Sequence, residues 1–168
     1  MGVDTIAIPS PPLIFGKLWA LENILLPGFD ILSNVLITGL PEWYFKSIDN
    51  ISRNEINVAN YIEKKIKKLN FKYKFDNSKK LTGSNVDNLI IYKKYNNSKK
   101  FFVLSSHMDT VVPGNGIKPL IKKNHIESSG STILGADDKS GLAIILEVFE
   151  TLVEKKYPHV NLEAAITT

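Results

Sequence analysis

An uninterrupted apolar run, Phe101-Phe102-Val103-Leu104, leads straight into Ser105-Ser106-His107-Met108-Asp109 and then into Val112-Pro113-Gly114. A run of this kind reads as an interior strand, covered on both faces of a sheet and ending in a polar, sharply turned segment. A second acidic turn, Gly135-Ala136-Asp137-Asp138, follows and opens into a helix expected over 139–156. In that helix Leu142, Ile145, Leu146, Phe149, Leu152 and Val153 form one broad apolar face, and Tyr157-Pro158 stops it. Val160, Leu162, Ala164 and Ile166 then alternate into a further strand.

The preceding stretch obeys the same grammar. Ser52-Arg53-Asn54-Glu55 fits a capping box, in which Ser52 caps a free amide and Glu55 reaches back. Val58, Ile62, Ile66 and Leu69 follow at helical spacing, with Glu63, Lys64, Lys67 and Lys68 on the solvated face. Trp43, Phe45 and Ile48 suggest a short helix before it. Phe71, Tyr73 and Phe75 alternate with Lys72 and Lys74, the pattern of a half-exposed strand. Residues 76–85 read as a polar loop, 88–92 as a strand and Asn96-Asn97-Ser98 as a turn. Leu120-Ile121 and Ile126, around Lys123-Asn124, read as a small hairpin. Helices interleaved with apolar strands indicate an α/β domain with a mixed sheet.

Bulk properties narrow the chemistry. The 168 residues suffice for one domain with a core and a short appendage. The net charge of +4 rests on lysine, with Arg53 the only arginine, and there is no aromatic-basic interleaving, so nucleic acid is not an expected partner. With no cysteine, any metal must be held by His, Asp and Glu. Residues 1–41 stand apart: they are apolar, hold a single lysine and contain Pro9-Ser10-Pro11-Pro12. Asp4 precedes any lysine, so a secretory signal is a poor fit. Lys17, Glu22, Pro27 and Asp30 interrupt the apolar run before the ~20 residues a membrane span needs, so no membrane partner is expected. Residues 1–41 are read as an apolar extension of unknown role, or a segment foreign to the domain over 42–168. The cytoplasm is the expected location.

His107 and Asp109 are two residues apart, a spacing that puts both side chains on one side of a strand. They fall at a strand's C-terminal end, where α/β sheets place ligands. A neutral imidazole is the commonest metal ligand and needs a partner on its other nitrogen. Asp109 suits that role, or the orienting of a metal-bound water. A carboxylate in the turn before a helix is favoured by the free amides there, and its two oxygens can bridge two cations. Gly135 and Gly141 permit close backbone approach. Each motif alone has an ordinary reading, a plain strand end or an N-cap. His125 reads as a hairpin residue, His159 as a solvated loop residue, and Lys139 as a support for the acidic turn.

The combination is more specific. Ser-His-Met-Asp-Thr-Val-Val-Pro-Gly (106–114), Gly-Ile-Lys-Pro (116–119) and Thr-Ile-Leu-Gly-Ala-Asp-Asp-Lys-Ser-Gly (132–141) closely resemble peptidase T and the peptidase T-like proteins. These tripeptide aminopeptidases belong to the co-catalytic zinc exopeptidases, which also include carboxypeptidases and aminoacylases. The resemblance runs over 42–168. It implies a three-layer, mixed-sheet α/β catalytic domain, here incomplete. It implies that His107 binds a metal, that Asp109 orients it as a catalytic residue, and that Asp137 bridges two zinc ions. A cis peptide between Asp137 and Asp138 is also implied. The implied activity is release of the N-terminal residue from short peptides, and full-length relatives are expected to be homodimers.

The family's next motif is a Glu-Glu pair just after the strand that here reads Ala165-Ile166-Thr167-Thr168. Its first Glu is the general base and its second a ligand. Neither is present, and Glu163 lies on the strand, so it is no substitute. The chain is therefore expected to be an N-terminal fragment that binds zinc weakly and turns over little by itself. The alternatives are a carboxypeptidase or N-acyl amino acid hydrolase on the same scaffold, and a non-catalytic remnant or interaction module.

Overall fold

The computed structural model describes residues 48–120 and 126–168, together with the backbone of 5–7, 121 and 125. In chain order the elements are β1 (Thr5–Ala7), α1 (Ile56–Lys68), β2 (Lys72–Phe75), α2 (Lys79–Thr82), β3 (Leu89–Lys93), β4 (Phe101–His107), β5 (Pro119–Ile121), β6 (His125–Ser128), α3 (Ala136–Lys155) and β7 (Asn161–Thr167). The strands form two sheets. The larger has the order β2-β3-β7-β4, and the smaller β1-β6-β5. In the larger sheet β2–β3 and β3–β7 are antiparallel while β4–β7 is parallel, so the sheet is mixed as expected. β5 and β6 form the expected hairpin, which β1 extends by antiparallel pairing with β6. The expected division at residue 41 falls within 8–47, outside the described residues, as do Trp43 and Phe45. Residues 48–50 are not helical. Among the described residues, no helix is long and apolar enough to cross a membrane.

Alternation along the strands sorts the larger sheet into two faces. Leu89 and Ile91, Leu162, Ala164 and Ile166, and Phe102 and Leu104 occupy one face in cross-strand register. Onto it pack Val58, Ile62 and Ile66 of α1 and Leu142, Ile145, Leu146 and Phe149 of α3. The Lys65 ammonium, 2.6 Å from the Glu150 carboxylate, ties the two helices together. α1 and α3 thus share one face, and the helical periodicities of both segments did predict which residues are buried. Val153 sits at the rim of the α3 stripe and is exposed.

Three expectations need correction. Residues 76–85 are not all loop, because the short helix α2 spans Lys79–Thr82 and ends at Gly83 with a positive φ. β4 is not an interior strand among the described residues: it bonds only to β7, and Val103 is 54% exposed. An apolar run does not say which residues meet a partner, and in β4 only the Phe102 and Leu104 side meets the helices. The capping box does not form either. Glu55 itself holds the N-cap position of α1, with no side-chain capping bond. Arg53 has a positive φ of 74°, which turns the chain before the helix and carries Ser52 away from its first amides. The buried Glu55 carboxylate accepts instead from the Arg53 amide and the Ser84 hydroxyl, each at 2.6 Å.

One stability effect follows from α3. Partial burial, then the charge of Glu150, pushes the Glu147 carboxyl above its ordinary range, although Thr151 donates to it. A raised folded-state pKa means the folded chain holds the proton more tightly than the unfolded one. Stability is therefore lost as the pH rises through the interval above the ordinary carboxylate value. Glu147→Gln is expected to stabilise the chain by about 0.2–0.5 kcal/mol at neutral pH, the size of a like-charge helix pair. Urea titrations at pH 7 and below pH ~4 check this; the gain should vanish at the lower pH.

Candidate metal centre

Because β4 and β7 run parallel, their C-terminal ends lie side by side. His107 pairs with Thr167, and the Met108 amide donates to the Thr167 carbonyl at 2.7 Å. Met108 is fully buried, so its side chain anchors the turn from the core while His107 and Asp109 flank it at the rim. The imidazole is bracketed by carboxylates. Its Nδ1 is 2.9 Å from Asp109 Oδ1 and 3.0 Å from the Asp109 carbonyl, and its Nε2 is 3.1 Å from Asp137 Oδ1. Partial burial works against the imidazolium, but the Asp137 hydrogen bond and the neighbouring Asp109 charge outweigh it, so the His107 pKa is raised. The Asp137 side chain is 97% exposed, with only one edge committed to His107.

The acidic turn is built so that its two aspartates do different things. The peptide joining them is cis, as the resemblance implied, and both residues have non-helical dihedrals inside the span of α3. Asp138 Oδ1 accepts from the Gly141 amide at 2.9 Å, which makes Asp138 the working cap of the regular helix. Its carbonyl accepts from the Ser106 hydroxyl on β4 at 3.2 Å. Asp137 is thereby left free to face His107. Gly141 is required by this cap, because a Cβ there would lie 2.5 Å from both Asp138 carboxylate oxygens. Gly→Ala in a helix normally gains up to about 1 kcal/mol. Here Gly141→Ala should instead destabilise by about 0.5–2 kcal/mol, the worth of a lost cap. A urea melt showing stabilisation would contradict the capping role of Asp138.

No family model matches the chain. Over 120 residues it is 38% identical to YqjE of Bacillus subtilis, an uncharacterised protein, covering 71% of this chain and 32% of that one. It is 32% identical over 114 residues to peptidase T of Halothermothrix orenii, covering 66% of this chain and 27% of that protein. The crystal structure of aminopeptidase PepT from Bacillus cereus superposes with a TM-score of 0.72 at 39% identity, over 77% of this chain and 35% of that one. The chain belongs to the peptidase T-like family. It spans about a third of the length of the curated relatives it matches.

Within this peptidase T-like chain, the candidate site is backed by residues 48–52. Ile51 bridges in parallel to Thr110, the Ser52 amide donates to the Thr110 carbonyl at 3.0 Å, and the Thr110 amide donates to the Asn50 carbonyl at 2.8 Å. Asn50 is fully buried and its amide nitrogen donates to the Met108 carbonyl. Asp49 Oδ1 accepts from the Gly116 amide at 2.7 Å. Lys139 is also buried, and burial lowers its pKa against the opposing charge of Asp49. Its Nζ donates to the Ile48 carbonyl at 3.1 Å, so it fastens the backing segment to α3 rather than bonding the acidic turn as expected.

The structure brings together all three sequence-predicted site residues, His107, Asp109 and Asp137. Ser52 and Asn50 join them unforeseen; neither lies in a periodic segment, and the serine also suits a helix cap. His159 is not simply solvated: it is half-buried, with its ring 4.6 Å from that of Tyr95. His125 lies on β6, and its side chain is outside the described residues. Glu163 lies mid-strand opposite Tyr92 and Val103, away from the site. As donors for a zinc ion, the imidazole Nε2 and the Asp137 carboxylate are of the right type, and they converge at 3.1 Å with Nδ1 already partnered. They are two donors where a catalytic zinc typically takes three, and among the described residues there is no cluster of three or more metal-binding side chains.

Proposed function

We propose that this chain supplies the front part of the catalytic domain of a zinc-dependent aminopeptidase that releases the N-terminal residue of short peptides. The observation that carries the reading is the His107 imidazole held between Asp109 on Nδ1 and Asp137 on Nε2 at the ends of two parallel strands. His107 and Asp137 would hold the metal, and Asp137 has an oxygen for each of two ions. Bound zinc supplies a polarised scissile carbonyl and a water acidic enough to ionise near neutrality.

The chain's own residues prepare that chemistry. Asp109 partners Nδ1 through its carbonyl and its carboxylate, so that Nε2, facing Asp137, is the ring nitrogen that would give up its proton to a metal. Asp138 takes up the helix amide, so Asp137 need not. The exit of β7 lies beside His107, the point at which the general-base carboxylate implied by the resemblance would enter. With two donors, the 168-residue chain alone is expected to bind zinc weakly and to turn over little.

A chimera tests the reading. Residues 48–168 would replace the matching third of the Bacillus cereus aminopeptidase. The expected result is hydrolysis of a free-amine tripeptide that stops on chelation and returns with zinc, with no hydrolysis of an N-acyl amino acid. A folded chimera that prefers the acylated substrate, or that ignores the chelator, would overturn it.

A further inference from the structure

Ser52 lies outside every regular element, on the turn before α1, yet its hydroxyl donates to Asp109 Oδ2 at 2.6 Å. Both ends of that bond are held independently. The serine backbone is fixed by the parallel bridge between Ile51 and Thr110 and by its own amide's bond to the Thr110 carbonyl. Behind it, the buried Asn50 side chain joins the Met108 carbonyl and lies 3.3 Å from Thr110 Oγ1. The two oxygens of the Asp109 carboxylate divide the work, Oδ1 facing His107 Nδ1 while Oδ2 takes the serine proton. The ring's Nδ1 also bonds to the Asp109 carbonyl at 3.0 Å, so the carboxylate stands as a charge beside that bond, held there by the serine hydroxyl. Such outer partners orient the ligands of metal sites and raise their affinity.

We infer that Ser52 is a positioning residue for His107, its hydroxyl holding the Asp109 carboxylate against the Nδ1 edge so that the ring keeps Nε2 facing Asp137. This rests on the metal-site reading above and adds to it a residue from a separate segment of the chain. The competing role, capping α1, is excluded by the geometry, because that helix starts from Glu55 without a side-chain cap.

The test uses the whole 168-residue chain, comparing wild type, Ser52→Ala and Ser52→Thr. Ring-nitrogen NMR of the metal-free chains, assigned with His107→Gln, reads the hydrogen bonding of each ring nitrogen. Zinc affinity is read by competition with a chromophoric chelator, and melting temperature in parallel. Wild type should show both ring nitrogens hydrogen-bonded, Nδ1 on the Asp109 side and Nε2 to Asp137. Ser52→Ala should shift both ring-nitrogen signals, as the released carboxylate moves off the Nδ1 edge and Nε2 loses its aim at Asp137, and should bind zinc about tenfold more weakly or worse. Ser52→Thr, which retains the hydroxyl at an exposed position, should restore both. Ring signals unchanged in Ser52→Ala overturn the inference, even where zinc affinity falls in step with the melting temperature. Failure of the metal reading looks different: wild type and His107→Gln would bind zinc alike, while the ring signals still decide the role of Ser52.

Discussion

Replacing His107 by alanine lowers zinc affinity by at least about 100-fold, the upper end of what losing even an outer partner of a ligand costs. In the chimera the same change takes tripeptide turnover below detection. The size of the effect follows from the donor count: with Nε2 gone, the described residues retain only the Asp137 carboxylate at this point. Protons compete with zinc for the same lone pair. Because Asp137 and Asp109 raise the imidazole pKa despite its partial burial, apparent affinity should climb as pH rises through that pKa and level off above it. Chelator competition at several pH values measures both. Wild-type affinity in the alanine variant, or an affinity that falls with rising pH through that range, would rule out His107 as a ligand.

Phe149→Ala is the second large effect, and it acts on stability. Phe149 is fully buried in the cluster that joins α1, α3 and the sheet, and its ring centroid is 4.5 Å from that of Phe71. Truncation removes the transfer free energy of the ring and leaves a cavity that helices pinned by the Lys65–Glu150 pair cannot easily close. The expected loss is about 3–5 kcal/mol, against a typical total stability of about 5–15 kcal/mol. Denaturant unfolding followed by circular dichroism checks this. Phe149→Leu should lose much less, since most of the volume remains. A loss below about 1 kcal/mol for alanine would mean the helices collapse freely onto the gap.

The helices show why some features are legible in the sequence. α1 and α3 carry apolar residues at helical spacing, and burying such a stripe against any sheet satisfies it, so their buried faces follow from local pattern alone. β2 is readable by its alternation and β3 by its short apolar run. The order β2-β3-β7-β4 is not readable. It places β7, the last strand in sequence, between β3 and β4, and pairings between segments so distant in the chain leave no mark in either segment. The exposure of β4 is hidden similarly, because residue type records hydrophobicity and not which neighbours arrive.

The same division runs through the candidate site. His107, Asp109 and Asp137, and the cis Asp137–Asp138 peptide, are legible because their motifs are local and distinctive. Ser52 is ambiguous in sequence because one hydroxyl suits either a helix cap or a carboxylate partner, and the choice depends on the turn at Arg53 and the bridge to Thr110. Sequence places Lys139 near the acidic turn, yet its bond goes to the Ile48 carbonyl. The sequence by itself determined α1, α3, the strands β2 to β7 and the identity of the reactive side chains, since these depend on residues within one turn or a few strand positions of each other, but not the short α2 or β1. Tertiary structure alone decided sheet order and which groups hold His107 in place, since a hydrogen bond forms only between atoms about 3 Å apart, whatever their separation along the chain.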